Sequence, residues 1–298
     1  MPRRDFGRDT GLQARMVLTM FLLGLVYVVL IAVAIGSGGG IGIVILIAAA
    51  FFGVQLFASD KIALSAMGAK EVSVAQAPEL HSIIERLCVQ ADLPKPRVAV
   101  IKARMPNACA LGRSQKTATI CVTTGLMQLL EPAELEGVLA HELTHVINRD
   151  VMVMTIASFF ASIAAILVRF GFIFGRFGGR NSGTQGALAA VLLVSVAVYA
   201  VSFTLLRALS RYREYAADRG AAVITGRPSA LSSALLKISG SMERIPSRDL
   251  RNAAPMNAFF IFPAQPKGSL RRLFATHPPV EKRIAALNRL EAQLQGKR

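Results

Sequence analysis

Four stretches of this 298-residue chain carry no charged side chain: Met16 to Ile35, Ile41 to Ser59, Val151 to Val168 and Ala187 to Leu206. Each is close to the ~20 residues that a helix rising 1.5 Å per residue needs to cross a bilayer. Gly36-Ser37-Gly38-Gly39-Gly40 joins the first two and has room only for a hairpin turn, so they cross as an antiparallel pair. No A-x-A-like site follows the first stretch and a second apolar stretch begins at once, which makes the first a span rather than a removable signal peptide.

Arg3, Arg4, Arg8 and Arg15 precede the first span while its far loop is uncharged. The positive-inside bias then puts the N-terminus in the cytoplasm. Two crossings return the chain there, so the polar region from Asp60 to Asp150 is expected to be cytoplasmic, and so is everything after the second pair. Arg169 interrupts the third stretch, and Arg176 and Arg180 lie in the glycine-rich connection Gly175 to Gly186. Either Arg169 snorkels from an ordinary span, or Val151 to Leu206 forms an interfacial or re-entrant hairpin.

Charge is unevenly placed. Residues 60–150 hold ten basic and ten acidic side chains, whereas 17 basic and six acidic ones follow from Arg207, so that +11 of the net +16 sits in the last third. Aromatic residues are not interleaved with the basic ones as a stacking platform, which argues against nucleic acid. On a chain anchored in a membrane, such a surface contacts the anionic cytoplasmic leaflet or is simply solvated. Cys88, Cys109 and Cys121 are odd in number and form no C-x-x-C, and they read as reduced, buried thiols.

The region between the two span pairs has the pattern of a compact α/β module. Leu80, Ile83, Ile84 and Leu87 have helical spacing within Pro78 to Gln90, while Arg97 to Ala103 and Ala118 to Thr124 read as strands. Met105-Pro106-Asn107 turns the chain, and Ala108 to Leu111 can run as a third, short strand. A helix is expected from Pro132, with Glu134 and Glu136 in its first turns, through His145, and it either ends there or continues into the third stretch.

That helix carries His141-Glu142-Leu143-Thr144-His145. Imidazoles at i and i+4 share a face and can hold one Zn2+ at ~2.0 to 2.1 Å. Glu142 beside them can accept a proton from a water that the metal acidifies to a pKa of about 7. A third ligand is needed, and the continuation H-x-x-G-x-x-H is absent. Downstream, Glu214 and Asp218 share a helical face after two further crossings. Glu214 can ligate zinc while Asp218 accepts from the N–H of a ligating His; taken alone, the pair is a solvated helix face.

His141 to His145 on a helix, Glu214 to Asp218 after two apolar segments, Pro106-Asn107-Ala108 before them and Thr276-His277-Pro278-Pro279 near the end resemble the HtpX family of membrane zinc metalloproteases, relatives of the CAAX prenyl proteases. The resemblance runs from the first span to the final helix. It implies His141, His145 and Glu214 as zinc ligands, one Zn2+ per subunit and Glu142 as catalytic base. It also implies an endopeptidase of the bacterial inner membrane that clears damaged or misfolded membrane proteins, a stress-response role. Family members usually carry an aromatic residue where this chain has Cys109, and Arg244 to Gly268, with Phe259-Phe260-Ile261-Phe262, matches no motif: it is either a flap over the cleft or an ordered loop on the membrane.

Two residues have competing readings. Asn107 can pin the end of a peptide added to the edge of Ala108 to Leu111, or it is a turn residue. His277 can donate to the oxyanion of the tetrahedral intermediate, or it marks a helix start with Thr276 as cap and Pro278 in the first turn.

The expected fold is an α-helical integral membrane protein with four transmembrane helices and a cytoplasmic, mainly helical α+β zincin domain of gluzincin type. Residues 1–59 form the tail and first hairpin, 60–150 the first part of the catalytic domain, 151–206 the second hairpin and 207–298 the rest of the domain. Expected partners are polypeptide substrates, membrane proteins above all, and anionic lipid. Six residues from His145 to Val151 and eight from Leu206 to Glu214 keep the metal within roughly 12 Å of the apolar boundary if these connections are helical. Two other readings are a zinc-binding membrane scaffold or chaperone, against which an open coordination position argues, and a transporter, which histidines beside rather than inside a span disfavour.

Overall fold

The computed structural model describes residues 60–155, 182–246 and 277–296, together with residues 14, 17–19, 21–22, 50, 53, 57, 248, 250 and 261. The chain forms two compact units, one of Met1–Asp9, Asp60–Met152 and Ser210–Arg298, the other of Thr10–Ser59 and Val153–Leu209. Most of the expected spans 16–35, 41–59 and 151–168 lies outside the described residues, and among those described no helix is long and apolar enough to cross a membrane. In the second unit Tyr199 stacks on Phe203 with ring centroids 6.4 Å apart, and the Arg207 guanidinium lies 5.6 Å from the Phe203 centroid. Leu193, Val196 and Val201 are exposed on the same helix.

The first unit is built on a four-stranded sheet of β1 (Ala69–Glu71), β2 (Arg97–Ile101), β3 (Ala108–Leu111) and β4 (Thr119–Thr123) in the order β1-β2-β4-β3. β2 and β4 are parallel and the other pairs antiparallel, which leaves β3 at an edge. β2 is shorter than the sequence suggests because Ala103 N–H bonds back to the Ile101 carbonyl at 2.9 Å, a tight turn that ends the ladder. β4 stops at Thr123 because its hydroxyl accepts from Leu126 N–H at 3.2 Å and caps α2 (Thr124–Leu129), preceded in the chain by α1 (Pro78–Ala91).

Helix α3 (Pro132–Ile147) starts with proline at its first position and a capping box, in which Glu131 and Glu134 side chains each accept from the other's backbone N–H. From Gly137 to Val146 every residue of α3 is buried, so both its faces are covered. A Cβ on Gly137 would lie 3.1 Å from the Leu231 backbone nitrogen, and the bare glycine lets a later helix cross α3 this closely. Of the two alternatives, α3 ends before the third apolar stretch. The helix ends at Ile147, Arg149 turns the backbone with φ of 55°, and residues 150–155 form a separate helix. After it come α4 (Ser182–Thr225), α5 (Pro228–Met242), which contains Leu231, and α6 (Val280–Gln295). All three cysteines are free and buried.

Candidate metal centre

The buried stretch of α3 presents His141 and His145 one turn apart, their rings edge to face with centroids 4.7 Å apart and their Nε2 atoms separated by 3.2 Å. Glu214, on α4, places Oε2 3.7 Å from His141 Nε2 and Oε1 3.7 Å from His145 Nε2. One donor atom from each of the three lies within 4.8 Å of the others, and all three residues are buried.

Hydrogen bonding assigns the tautomers. His141 Nδ1 lies 2.9 Å from Asp218 Oδ1, and His145 Nδ1 lies 2.6 Å from Asp150 Oδ2. Burial opposes ionisation of both aspartates, but Arg283 beside Asp218 and Arg213 beside Asp150 outweigh it and hold both carboxyls below their ordinary value. Ionised carboxylates only accept, so each Nδ1 donates, and in the neutral ring that binds a metal each Nε2 keeps its lone pair. Two such lone pairs at 3.2 Å repel unless a cation lies between them. A tetrahedral ion with arms of ~2.0 to 2.1 Å separates its ligand atoms by about 3.3 Å, and two imidazoles with one carboxylate suit zinc. The residues therefore fit a metal.

Glu142 is 1% exposed, and its Oε1 has no hydrogen-bond partner among the described residues. Burial pushes its carboxyl up to about 7; the charge of Glu214 adds to the rise, while His145, Arg283 and His277 oppose it. Burial, with help from Arg283 and His145, brings His141 down to about 4 against the pull of Asp218, which keeps the imidazole neutral. Glu214 is held well below the usual carboxylate range, because His277, Arg283 and His145 outweigh the effect of burial.

His277 is buried with Nδ1 3.2 Å from Glu214 Oε2. The helix after it begins at Val280 with Pro279 at the N-cap and no side-chain cap bond, so Pro278 is not in its first turn; Thr276 lies outside the described residues. Asn107 is fully buried at the head of β3, where its N–H donates to Thr123 Oγ1 at 2.8 Å and its Oδ1 accepts from Ala108 N–H at 3.1 Å. Of the segment 244–268 only residues 244–246, 248, 250 and 261 are described, and Ile261 N–H donates to the Ala108 carbonyl at 3.1 Å.

Two groups escaped the sequence reading. Asp150 backs His145, and Arg283, 1% exposed, grips Asp218 through Nε at 2.8 Å and Nη2 at 2.6 Å. Arg283 Nη1 also donates to the Ile261 carbonyl at 3.1 Å and lies 3.4 Å from Glu214 Oε2. Nothing in the local sequence separates Arg283 from its basic neighbours.

Comparison with known proteins agrees with this geometry. The model of peptidase family M48 matches residues 74–291. Protease HtpX homolog 2 of Methanosarcina acetivorans is 53% identical over 98% of this chain and 99% of its own length. Protease HtpX homolog of Moorella thermoacetica is 53% identical over 99% of this chain and all of its own. The crystal structure of S. mikatae Ste24p superposes with a TM-score of 0.53 at 17% identity, covering 94% of this chain and 67% of that one, a likeness of fold. On the match to most of its length and on these relatives, the chain belongs to peptidase family M48, among its HtpX proteases.

Proposed function

We propose that this M48 peptidase is a zinc-dependent endopeptidase of the inner membrane whose catalytic domain faces the cytoplasm. The observation that carries the chemistry is the buried His141, His145 and Glu214 donor set, with Glu142, whose Oε1 has no hydrogen-bond partner among the described residues, next to His141 in the chain. Those three would hold one Zn2+ per subunit, and zinc there would polarise the scissile carbonyl and bring a water to a pKa near 7. Glu142 takes the proton of the attacking water and gives it to the leaving amine. His277 donates to the oxygen that becomes the oxyanion. Asp218 keeps His141 in its metal-binding tautomer.

The substrate adds as a strand to the edge of β3. Thr123 N–H bonds the Asn107 carbonyl at 3.0 Å, and the antiparallel alternation that follows turns Cys109 and Leu111 toward β4 and Ala108 and Ala110 outward. Ile261 already takes the Ala108 carbonyl, so the incoming peptide pairs with Ala110, and Asn107 holds the end of the strand that receives it.

Residues 1–59 and 151–206 form the two membrane hairpins, and 60–150 and 207–298 the two parts of the zincin domain. The exposed apolar side chains Leu193, Val196 and Val201 and a mean hydropathy of +0.48 support this. With the basic last third on anionic lipid, the enzyme cuts damaged membrane proteins at cytoplasmic sites near the bilayer. The test incubates metal-loaded and chelated protein, in vesicles containing anionic lipid, with an unfolded polypeptide and with a model membrane protein whose cleavable sequence is moved stepwise from its span. Cleavage by the loaded form alone, declining with distance, is expected. Cutting indifferent to distance overturns the membrane-proximal part, and no cutting at all favours a zinc-binding scaffold.

A further inference from the structure

Asp150 lies beyond α3 and outside the H-E-x-x-H pattern, yet its Oδ2 is 2.6 Å from His145 Nδ1. A backbone turn brings it there. Asn148 N–H bonds the Thr144 carbonyl at 3.0 Å, closing α3, and Arg149 then adopts φ of 55°, a left-handed conformation that a residue with a Cβ rarely takes. The next helix therefore starts with Asp150 facing back toward the ring of His145. Asp150 is 1% exposed, and Arg213 Nε lies 3.2 Å from the same Oδ2. Arg213 directly precedes Glu214, so the group that steadies Asp150 sits on the stretch of α4 that carries the third donor.

The two histidines are thus backed in the same way. An aspartate accepts from each Nδ1, Asp218 for His141 and Asp150 for His145, and an arginine holds each aspartate, Arg283 and Arg213 in turn. We infer that Asp150 is a positioning residue for the metal centre: it fixes His145 with its proton on Nδ1 and its Nε2 lone pair aimed at the ion, and Arg213 ties this support to the Glu214 side. The inference rests on His145 being a metal ligand. An aspartate at the start of a helix can instead serve as a cap, but here Oδ2 is directed to the imidazole at a distance typical of a charge-assisted bond.

The test uses the full chain in detergent or lipid, with zinc affinity measured by chelator competition and histidine tautomers read by 15N NMR, where the presence of only four histidines keeps assignment simple. In the unchanged chain, with or without zinc, His145 should carry its proton on Nδ1 with a strongly deshielded signal. Asp150→Asn should bind zinc about 10- to 100-fold more weakly and lose that signal while the one from His141 stays, and Asp150→Glu should recover most of the affinity. A His145 proton on Nε2 and not on Nδ1 in the unchanged chain overturns the inference even if no variant folds. So does an Asp150→Asn protein that binds zinc within about threefold of the unchanged chain, or an equal loss in Asp150→Glu. Failure of the unchanged chain to bind zinc would instead remove the ligand assignment of His145, a separate result.

Discussion

Gly220 of α4 packs against Thr144 of α3 so closely that a Cβ on the glycine would fall 2.3 Å from Thr144 Cγ2. Thr144 is 3% exposed and its hydroxyl donates to the Ala140 carbonyl at 2.8 Å, so it has little freedom to yield. The contact sits between the two histidines' helix and the turn of α4 that carries Glu214 and Asp218. Gly220→Ala should destabilise the protein by about 1 to 3 kcal/mol and weaken metal binding, since the helices must move apart. Thermal unfolding and zinc content measure both, and a variant unchanged in each would show that the contact does not set the spacing.

His277→Ala should retain stoichiometric zinc and slow turnover by ~10²- to 10³-fold, the loss expected for one oxyanion donor. If zinc is lost instead, His277 is a ligand. If the melting temperature falls in step with activity, its contact with Glu214 is a folding contact.

Much of this site was legible because its spacing is local. Two imidazoles four residues apart on a helix must share a face, and Pro132 with Glu134 marks where that helix starts. Glu214 was legible because it shares a helical face with Asp218 and because the resemblance to the HtpX family marks that pair as part of the metal centre. Asp150 was not legible because its position depends on α3 ending at Ile147 and on a left-handed Arg149, and an arginine carries no signal for that conformation. Arg283 stayed hidden because it reaches Asp218 across 65 positions of sequence, among basic residues that read as a solvated surface. β1 was missed because it is three residues long, includes Lys70 and Glu71 and is at most half-buried.

Acid should weaken the α3–α5 contact. Glu134 accepts from Ser233 Oγ at 2.6 Å, Lys237 Nζ at 2.8 Å and Glu131 N–H at 2.9 Å. Burial alone would raise its carboxyl, but these bonds outweigh burial and hold it below its ordinary value of 4.5. The unfolded chain therefore takes up this proton at higher pH than the folded one. Its stabilisation is complete above pH 4.5 and is lost as pH falls through the depressed value. Denaturation curves across this range should show Glu134→Gln less stable at neutral pH and less sensitive to acid; parallel pH profiles for the two proteins would contradict the assignment.

Ala110→Pro tests strand addition. Its N–H faces away from β4, so proline removes the outward donor without breaking the ladder. KM for a polypeptide should rise with kcat far less affected. An unchanged KM would place the substrate elsewhere.

The most direct measurement is peptide-bond cleavage by Glu142→Gln protein whose zinc content has been determined. Glutamine fills the same space but cannot take a proton, so zinc should remain at one per chain while turnover falls by at least ~10²- to 10⁴-fold. Turnover like that of the unchanged chain, with zinc in place, would contradict the role of Glu142 as the base.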